Sequence, residues 1–459
     1  MKLGVVVLAA GKGTRMRSAL PKVLHPLAGR PLLGHVLDAA AALGAAQVAV
    51  VYGHGGEQVP NAFPQSKAEW VEQRERLGTG HAVLQAMPAM AAMDRVLVLY
   101  GDVPLIEPET LTRLVDDTVE TSLGLLTMEL VDPTGYGRIV RDKSNRVLRI
   151  VEQKDASTAE RAITEVNTGI IVAERTRLAD WLGRIGNDNV QHEYYLTDII
   201  GLAVADGVTV ATTAPETLEE VAGVNDRAQL ALLERHYQRG IAEKLMLGGT
   251  TLADPSRLDV RGSLSCDQDV FLDVNLVCEG RVRIGANCHI GPNCLLKDCT
   301  LGTGVEVMAN SIIEGASVAS GARIGPFARL RPGSEIAEDC HIGNFVEVKK
   351  SRIAAGSKVN HLSYVGDAEI GAGVNVGAGT ITCNYDGANK HLTEIGDGAF
   401  IGSNTALVAP VVVGPGATIG AGSVISRNAP AEQLTLTRAP QATIEGWTRP
   451  TKAAIKSST

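Results

Sequence analysis

Two folds in series are expected from this sequence: an α/β Rossmann-like domain over residues 1–227 and a parallel β-helix over 249–459, joined by a helical linker at 228–248. Three observations predict this arrangement. Short β-rich runs alternate with helix-like stretches up to about residue 226. Apolar residues then recur at helical spacing through one segment, 227–247. Beyond it the period becomes six.

In the first part the β-rich runs are "GVVVLA" at 4–9, "VAVVY" at 48–52, "VLVLY" at 96–100 and "GIIVA" at 169–173. Stretches such as "PLLGHVLDAAAAL" at 31–43 separate them. Strands alternating with helices imply a mostly parallel sheet covered on both faces. Ligands of such sheets sit beyond the carboxyl ends of the strands, which draws attention to "AAGKGTRM" and "YGDVPL", each directly after a strand.

In the linker, Leu230, Leu233, Tyr237, Ile241 and Leu245 fall three or four apart and form one stripe of an amphipathic helix. Gly248 and Gly249 are placed to end it.

In the second part Val318, Ile324, Leu330, Ile336, Ile342 and Val348 keep a six-residue spacing. So do Ile395, Ile401, Leu407, Val413, Ile419 and Ile425, and an earlier set of Leu272, Cys278, Ile284, Ile290 and Leu296. Many are followed by glycine. Neither a helix nor a flat strand has this period; hexapeptide coils of a parallel β-helix do. Each coil turns three short faces with an aliphatic residue inward from each.

Bulk composition sets limits. A chain of 459 residues is too long for one core. Aromatics are only 3% against 50 glycines, an imbalance that a core of small and aliphatic residues fits in part and a repeat architecture fits better. A net charge of −8 gives no bulk attraction for nucleic acid or an anionic membrane, so neither is expected as a partner. No apolar run reaches eighteen residues, so no membrane insertion is expected. All seven cysteines lie in the second half, an odd number without metal-site spacing, which favours reduced thiols and a cytoplasmic location. Cys288, Cys294, Cys299 and Cys340 each stand two residues before an in-phase aliphatic slot, where a small packed side chain fits.

The opening "VVVLAAGKGTRM" (5–16) admits three readings: a secretory leader, a phosphate-cradling loop, or a plain turn between a strand and a helix. For a leader the apolar stretch is short, Leu8 stands where a small residue is wanted, and Lys12, Arg15 and Arg17 follow at once. A strand running into a glycine loop fits better, and such a loop lets backbone N–H groups approach a phosphate. It matches neither familiar phosphate motif. Lys12 precedes Gly13, the wrong order for a Walker loop, and Met16 stands where a dinucleotide fingerprint needs its third glycine.

"LAAGKGTRM" and "LPKVL" (20–24) resemble the start of sugar-nucleotide pyrophosphorylases. "EQRERLGTGHA", "LYGDVPL", "TGYGRIV", "VEQKD", "EVNTGI" and "GVND" follow in that family's order. With the β-helix attached, the chain over essentially 1–450 resembles the bacterial bifunctional N-acetylglucosamine-1-phosphate uridylyltransferase/glucosamine-1-phosphate acetyltransferase family. The resemblance implies a Rossmann-like nucleotidyltransferase domain plus a C-terminal left-handed parallel β-helix. It implies UTP and acetyl-CoA as co-substrates, Mg²⁺, small-molecule substrates only, and a homotrimer whose acetyl-transfer sites are shared between neighbouring chains.

For the first half the resemblance puts the uracil and phosphates on Leu8, Ala9, Ala10 and Gly11, with Gln73, Gly78 and Thr79 holding the base. Arg15 and Lys22 face the triphosphate; Tyr100, Gly101 and Asp102 flank the metal and ribose; Gly137, Glu152 and Asn167 hold the sugar. Asp102 and Asn225 ligate Mg²⁺. The sugar phosphate is itself the nucleophile, so the protein must chiefly bring two anions together and neutralise their charge.

For the second half it puts the amino-sugar phosphate on Arg331, Lys349, Tyr364 and Asn375, and acetyl-CoA on Ala378, Asn384, Tyr385, Ser403, Ala421 and Arg438. His361 is the expected base, because the amine must lose a proton to attack a thioester and an imidazole titrates near cellular pH. Glu347 is expected to orient its ring, and Asn384 to hold developing charge. Asn360 departs from the family's motif, where a small residue is expected. A pyrophosphorylase whose β-helix serves only regulation or assembly is the alternative. The intact His361, Asn384–Tyr385 and Arg438 set weighs against it, and the Lys22 and Asp102 motifs weigh against a non-catalytic scaffold.

Overall fold

The structure, a computed structural model, describes residues 1–53 and 56–451. Residues 452–459, at the end of the expected second domain, lie outside the described residues. The chain divides into two compact units, Met1–Glu243 with Val260–Gly262, and Lys244–Asp259 with Ser263–Thr459.

The first unit is built on strands β1 (Leu3–Leu8), β2 (Gln47–Tyr52), β3 (Glu69–Glu72), β4 (Arg95–Tyr100), β5 (Leu123–Glu129), β6 (Arg138–Arg141), β7 (Val147–Val151), β8 (Glu165–Glu174) and β9 (Val210–Thr213). The sheet runs β9-β5-β8-β4-β1-β2-β3, with β6 beside β8 and β7 beside β6. It is not uniformly parallel. The "GIIVA" run lies in β8, which is antiparallel to both β4 and β5. Helices α1 (Leu32–Ala42), α2 (Thr79–Ala86), α3 (Pro108–Asp117), α4 (Arg175–Arg184) and α5 (Asp198–Ala205) cover it. Along β1 the side chains alternate between two buried cores. Val5 and Val7 pack with Leu33 and Val36 of α1, whereas Val6 and Leu8 pack with Val83 of α2 and Trp181 of α4.

β1 and β4 are parallel and in register, with Leu8 beside Tyr100, so their following loops leave the same edge of the sheet. β2 and β3 end at that edge too, where Gln73 N–H donates to the Tyr52 carbonyl at 2.7 Å. A helix over Arg227–Leu247 follows, and the predicted stripe is its buried or half-buried side. Gln238, outside the predicted stripe, is buried as well and exchanges two 2.8 Å hydrogen bonds with the backbone of Val260.

In the second unit every in-phase aliphatic position named above is buried. Its parallel strands pair coil over coil: Leu272 with Ile290, Val307 with Ile324, Ile324 with Ile342. The interior column also contains Leu301, Ile353 and Ile370, which the six-residue count passes over. Each follows a step of five, after Leu296, Val348 and Val365 respectively. At these corners Asp298, Lys350 and Asp367 take left-handed φ of 45°, 44° and 47°, as Asn287, Asn293 and Asn310 do (58°, 59° and 61°) at corners of six-residue steps. Most coils therefore repeat at 17 or 18 residues. The coil holding the 384–392 excursion takes 25, as Ile370 pairs with Ile395 and Val376 with Ile401.

The cysteine slots have a shared geometry. Cys288, Cys294 and Cys340 are buried and each thiol donates to the carbonyl fourteen residues on: Gly302, Met308 and Ala354. Ser334, Ser357 and Ser363 make the same link to Val348, Gly371 and Gly377. Burial pushes the Cys299 thiol up to about 12 and that of Cys266 up to about 11.

Candidate functional site

A cavity of about 700 Å³ opens at the carboxyl edge of the first unit's sheet. Of the residues predicted there, Leu8, Ala9, Ala10, Gly11, Lys22, Gln73, Gly78, Thr79, Tyr100 and Asp102 line it. The loop after β1 is pinned where Ala9 N–H donates to Val51 O at 2.8 Å, and Gly101 N–H donates to Leu8 O at 2.9 Å. Gly11 has open space where a Cβ would stand, so the backbone there is free to approach a ligand.

Two cation–acceptor pairs close one end. Lys22 Nζ bonds Asp102 Oδ2, and Arg15 Nη2 donates to Asn225 Oδ1 at 2.8 Å. The two loops are tied by Val224 N–H, which donates to Asp102 O at 2.9 Å. Residues more than a hundred positions apart are thereby gathered, which sequence spacing does not reveal.

At the other end Gln73 is buried, its Nε2 donating to Gly78 O at 3.2 Å and lying 3.0 Å from His81 Nδ1. Gly78 takes φ 117°, ψ 175°, a conformation open essentially to glycine alone. A Cβ there would lie 2.5 Å from Tyr194 O. The close approach is needed because Tyr194 N–H donates to Leu77 O (2.7 Å) and Gly80 N–H to Tyr194 O (2.8 Å), clasping the two loops. Gly78→Ala is expected to lower the melting temperature of this unit by about 3–10 °C. It should also raise KM for the nucleotide about tenfold by displacing Gln73. Thermal denaturation and steady-state kinetics check both.

Gly137, Glu152 and Asn167 converge beside this cavity. Asn167 N–H donates to Gly137 O at 2.9 Å, and a Cβ on Gly137 would stand 3.4 Å from the Glu152 carboxylate. Thr197 Oγ1 donates to Glu152 Oε1 at 2.9 Å, yet burial still raises the Glu152 pKa. Burial, then the charges of Glu152 and Asp155, push Asp198 up to about 6. Burial also raises Tyr100, whose ring packs where a side chain on Gly169 would be.

On the β-helix, His361 ends the strand Lys358–His361 and is exposed. Its carbonyl accepts from Ser363 Oγ (2.8 Å) and Gly379 N–H (3.2 Å), so its backbone is fixed. The expected Glu347–His361 contact is not among the hydrogen bonds of the described residues. Glu347 instead sits beside Tyr364 in register and accepts from Arg331 Nη1 at 2.8 Å. The guanidinium is the stronger partner for a carboxylate.

Four predicted residues stack along the corner that carries His361. Asn404 N–H donates to Ala378 O, Gly422 N–H to Ser403 O, and Arg438 Nε to Ala421 O, at 2.7, 2.8 and 3.1 Å. At one strand spacing per coil, His361 to Ala421 spans roughly 14 Å, a track suited to an extended ligand. Asn375 lies on the neighbouring face, paired with Lys358 and Phe400. Asn384 is buried with its Nδ2 on Asp367 Oδ2, and Tyr385 is exposed on the excursion, its hydroxyl donating to Gly387 O at 2.6 Å.

Sequence reasoning missed several neighbours. Lys12, Arg74, Arg76 and Glu193 also line the first cavity. Arg74 and Arg76 lie within the predicted Gln73–Gly78 segment, so their charge was the available signal. Lys390, from the excursion, comes against Lys349, and this hydrogen bond and like charge lower Lys349. The basic residue within "TCNYDGANKHL" was visible; its return to Lys349 was not.

Residues 5–129 match the model of the MobA-like NTP transferase domain, and 392–427 that of the bacterial transferase hexapeptide (six repeats). The bifunctional protein GlmU of Methylococcus capsulatus is 59% identical over 458 residues, spanning 100% of this chain and 99% of that one. GlmU of Azoarcus sp. is 59% identical over 448 residues, spanning 98% and 99%. GlmU of Idiomarina loihiensis is 55% identical over 450 residues, with the same shares. Similarity of this degree runs through both units and both candidate sites, and the chain belongs to the family of bifunctional GlmU proteins.

Proposed function

We infer that the chain makes UDP-N-acetylglucosamine in two reactions: acetylation of glucosamine 1-phosphate with acetyl-CoA, then uridylyl transfer from UTP with release of pyrophosphate. The observation that carries this reading is full-length kinship to bifunctional proteins combined with two separate residue sets, one in each unit. We assign uridylyl transfer to residues 1–227, the linker to 228–248 and acetyl transfer to 249–459.

In the first reaction His361 takes a proton from the substrate ammonium. The freed amine attacks the thioester carbonyl, the carbon–sulfur bond breaks, and the coenzyme A thiolate is protonated as it leaves. Arg331, Lys349, Tyr364 and Asn375 hold the sugar phosphate, helped by Lys390. Ala378, Asn384, Tyr385, Ser403, Ala421 and Arg438 carry acetyl-CoA. Glu347 acts on the phosphate side, by fixing Arg331.

In the second reaction a phosphate oxygen of N-acetylglucosamine 1-phosphate attacks the α-phosphorus of UTP in line and pyrophosphate departs. Leu8, Ala9, Ala10, Gly11, Gln73, Gly78 and Thr79 hold UTP. Tyr100, Gly101, Gly137, Glu152 and Asn167 hold the sugar and ribose. Arg15 and Lys22 offset charge on the triphosphate. Asp102 and Asn225 would hold Mg²⁺: both offer hard oxygen atoms, and their loops are tied through Val224. Bound there, the ion supplies neutralisation of phosphate charge.

We also propose a cytoplasmic homotrimer with acetyl-transfer sites shared between chains. Support comes from the corner next to His361. Phe327, Phe345 and Leu362 are 47%, 57% and 65% exposed and take φ of 56°, 55° and 49°. Bulky residues in that conformation each cost about 1–2 kcal/mol. Burial against a neighbouring chain offsets such strain and covers the apolar column.

With glucosamine 1-phosphate, acetyl-CoA, UTP and Mg²⁺, mass spectrometry should find UDP-N-acetylglucosamine, pyrophosphate and free coenzyme A. With EDTA, N-acetylglucosamine 1-phosphate should accumulate instead. Sedimentation should give a trimer or a multiple of it. Acetylation without nucleotide product in Mg²⁺, or nucleotide transfer without acetylation, would remove one half of the assignment.

A further inference from the structure

Arg138 is 1% exposed, a guanidinium buried in the first unit with no carboxylate paired to it among the described residues. Its Nη1 donates to Tyr136 O, and its Nη2 donates to Gln153 Oε1 at 2.6 Å and to Arg161 O at 3.4 Å. Its Nε has no hydrogen-bond partner among the described residues. A buried cation satisfied mainly by neutral oxygens is an expensive way to fill a core, and a methionine or leucine of similar volume would pack there more cheaply. Its usefulness must lie in what it holds.

Its contacts fall on three segments that meet at the sugar end of the site. Tyr136 directly precedes Gly137, and Gln153 directly follows Glu152. Arg138 itself pairs in the sheet with Val166, the neighbour of Asn167, and with Val151, the neighbour of Glu152. Gln153 Oε1 also accepts from Gly135 N–H at 3.4 Å, so the amide passes the brace on to the turn before Gly137. The Asn167–Gly137 hydrogen bond then completes a closed circuit through all three sugar-holding positions. No cavity-lining residue of the nucleotide end takes part.

We propose that Arg138 is a positioning residue for the acceptor sugar phosphate, setting the spacing of Gly137, Glu152 and Asn167 through Tyr136, Gln153 and the β6–β8 pairing. This rests on the assignment of those three residues to the sugar. It implies a division of labour: the Lys22, Gln73 and Gly78 region keeps its geometry when Arg138 is lost, while the acceptor's reacting oxygen is no longer aligned.

The test compares Arg138→Met, Gln153→Ala and Asn167→Ala in the full chain. Arg138→Met should lower kcat/KM for N-acetylglucosamine 1-phosphate about 100-fold, the scale of a misplacement near 1 Å. Its UTP dissociation constant should stay within about twofold, because the Arg138 brace reaches none of the nucleotide contacts. Arg138→Lys, which can still donate to one carbonyl, should recover part of the loss. Gln153→Ala, which keeps the cation and removes one acceptor, should show the same selective defect at about a tenth of the size. Loss of UTP affinity in Arg138→Met equal to the acceptor defect would make Arg138 a general fold element and overturn the proposal. Normal acceptor kinetics in Arg138→Met, or in Gln153→Ala should the former not fold, would overturn it too, provided Asn167→Ala is impaired. Normal kinetics in Asn167→Ala would instead remove the sugar-site assignment on which the proposal stands.

Discussion

His361→Ala should slow acetyl transfer by about 10²–10⁴-fold, the usual contribution of a positioned general base, and leave uridylyl transfer unchanged. The imidazole is exposed, fixed through its backbone and free of side-chain partners among the described residues, so its removal disturbs no packing. A proton acceptor is lost and little else. Assays of both reactions on the folded variant test this. A variant that keeps full acetyl transfer would assign the proton to another group, and one that loses both activities together would make His361 a fold element.

Asp102→Ala is expected to reduce uridylyl transfer by about 10²–10³-fold or more while sparing acetyl transfer. Asp102 lines the cavity bonded to Lys22, whereas Glu193, the other carboxylate among the described lining residues, lies on the loop clasped to Leu77 and Gly80. Its removal deletes an oxygen ligand and frees Lys22 from its partner. Asp102→Asn separates the two effects. It keeps the shape and one oxygen but not the charge, so its defect should be partly relieved by raised Mg²⁺, whereas that of Asp102→Ala should not. Assays of both reactions across a Mg²⁺ series read this directly. Equal relief of both variants would count against metal ligation by Asp102.

Much of this was legible because it is periodic or local. Val5 to Leu8 announce a strand buried on both faces, and the structure sends alternate side chains into two cores. The six-residue columns are legible for the same reason, since an inward position repeats with each face. Where a face shortens to five residues, past Asp298, Lys350 and Asp367, the count loses phase and Leu301, Ile353 and Ile370 drop out. The antiparallel course of β8 was illegible, because a buried apolar run reads alike in either direction. At the sites, residue types were legible and pairings were not. The resemblance pointed Glu347 at His361, whereas the coil register sets it beside Tyr364 and its carboxylate accepts from Arg331. Lys390 reaches Lys349 only because the excursion folds back.

That excursion bears on how such a chain can change its substrate. The coil that contains it grows to 25 residues, yet Ile395 and Ile401 return to the same interior columns as Ile370 and Val376. Closing a longer loop between two fixed ends is inexpensive, about 0.6 kcal/mol for each doubling of its length. Each coil also touches chiefly the coils above and below it, so a change at one corner is not transmitted down the stack. Loops of other lengths and charges could therefore be grafted between Tyr385 and Thr393, with Asn384 and Tyr385 kept, and screened against other amino sugars, with the hydrophobic interior carried over unaltered.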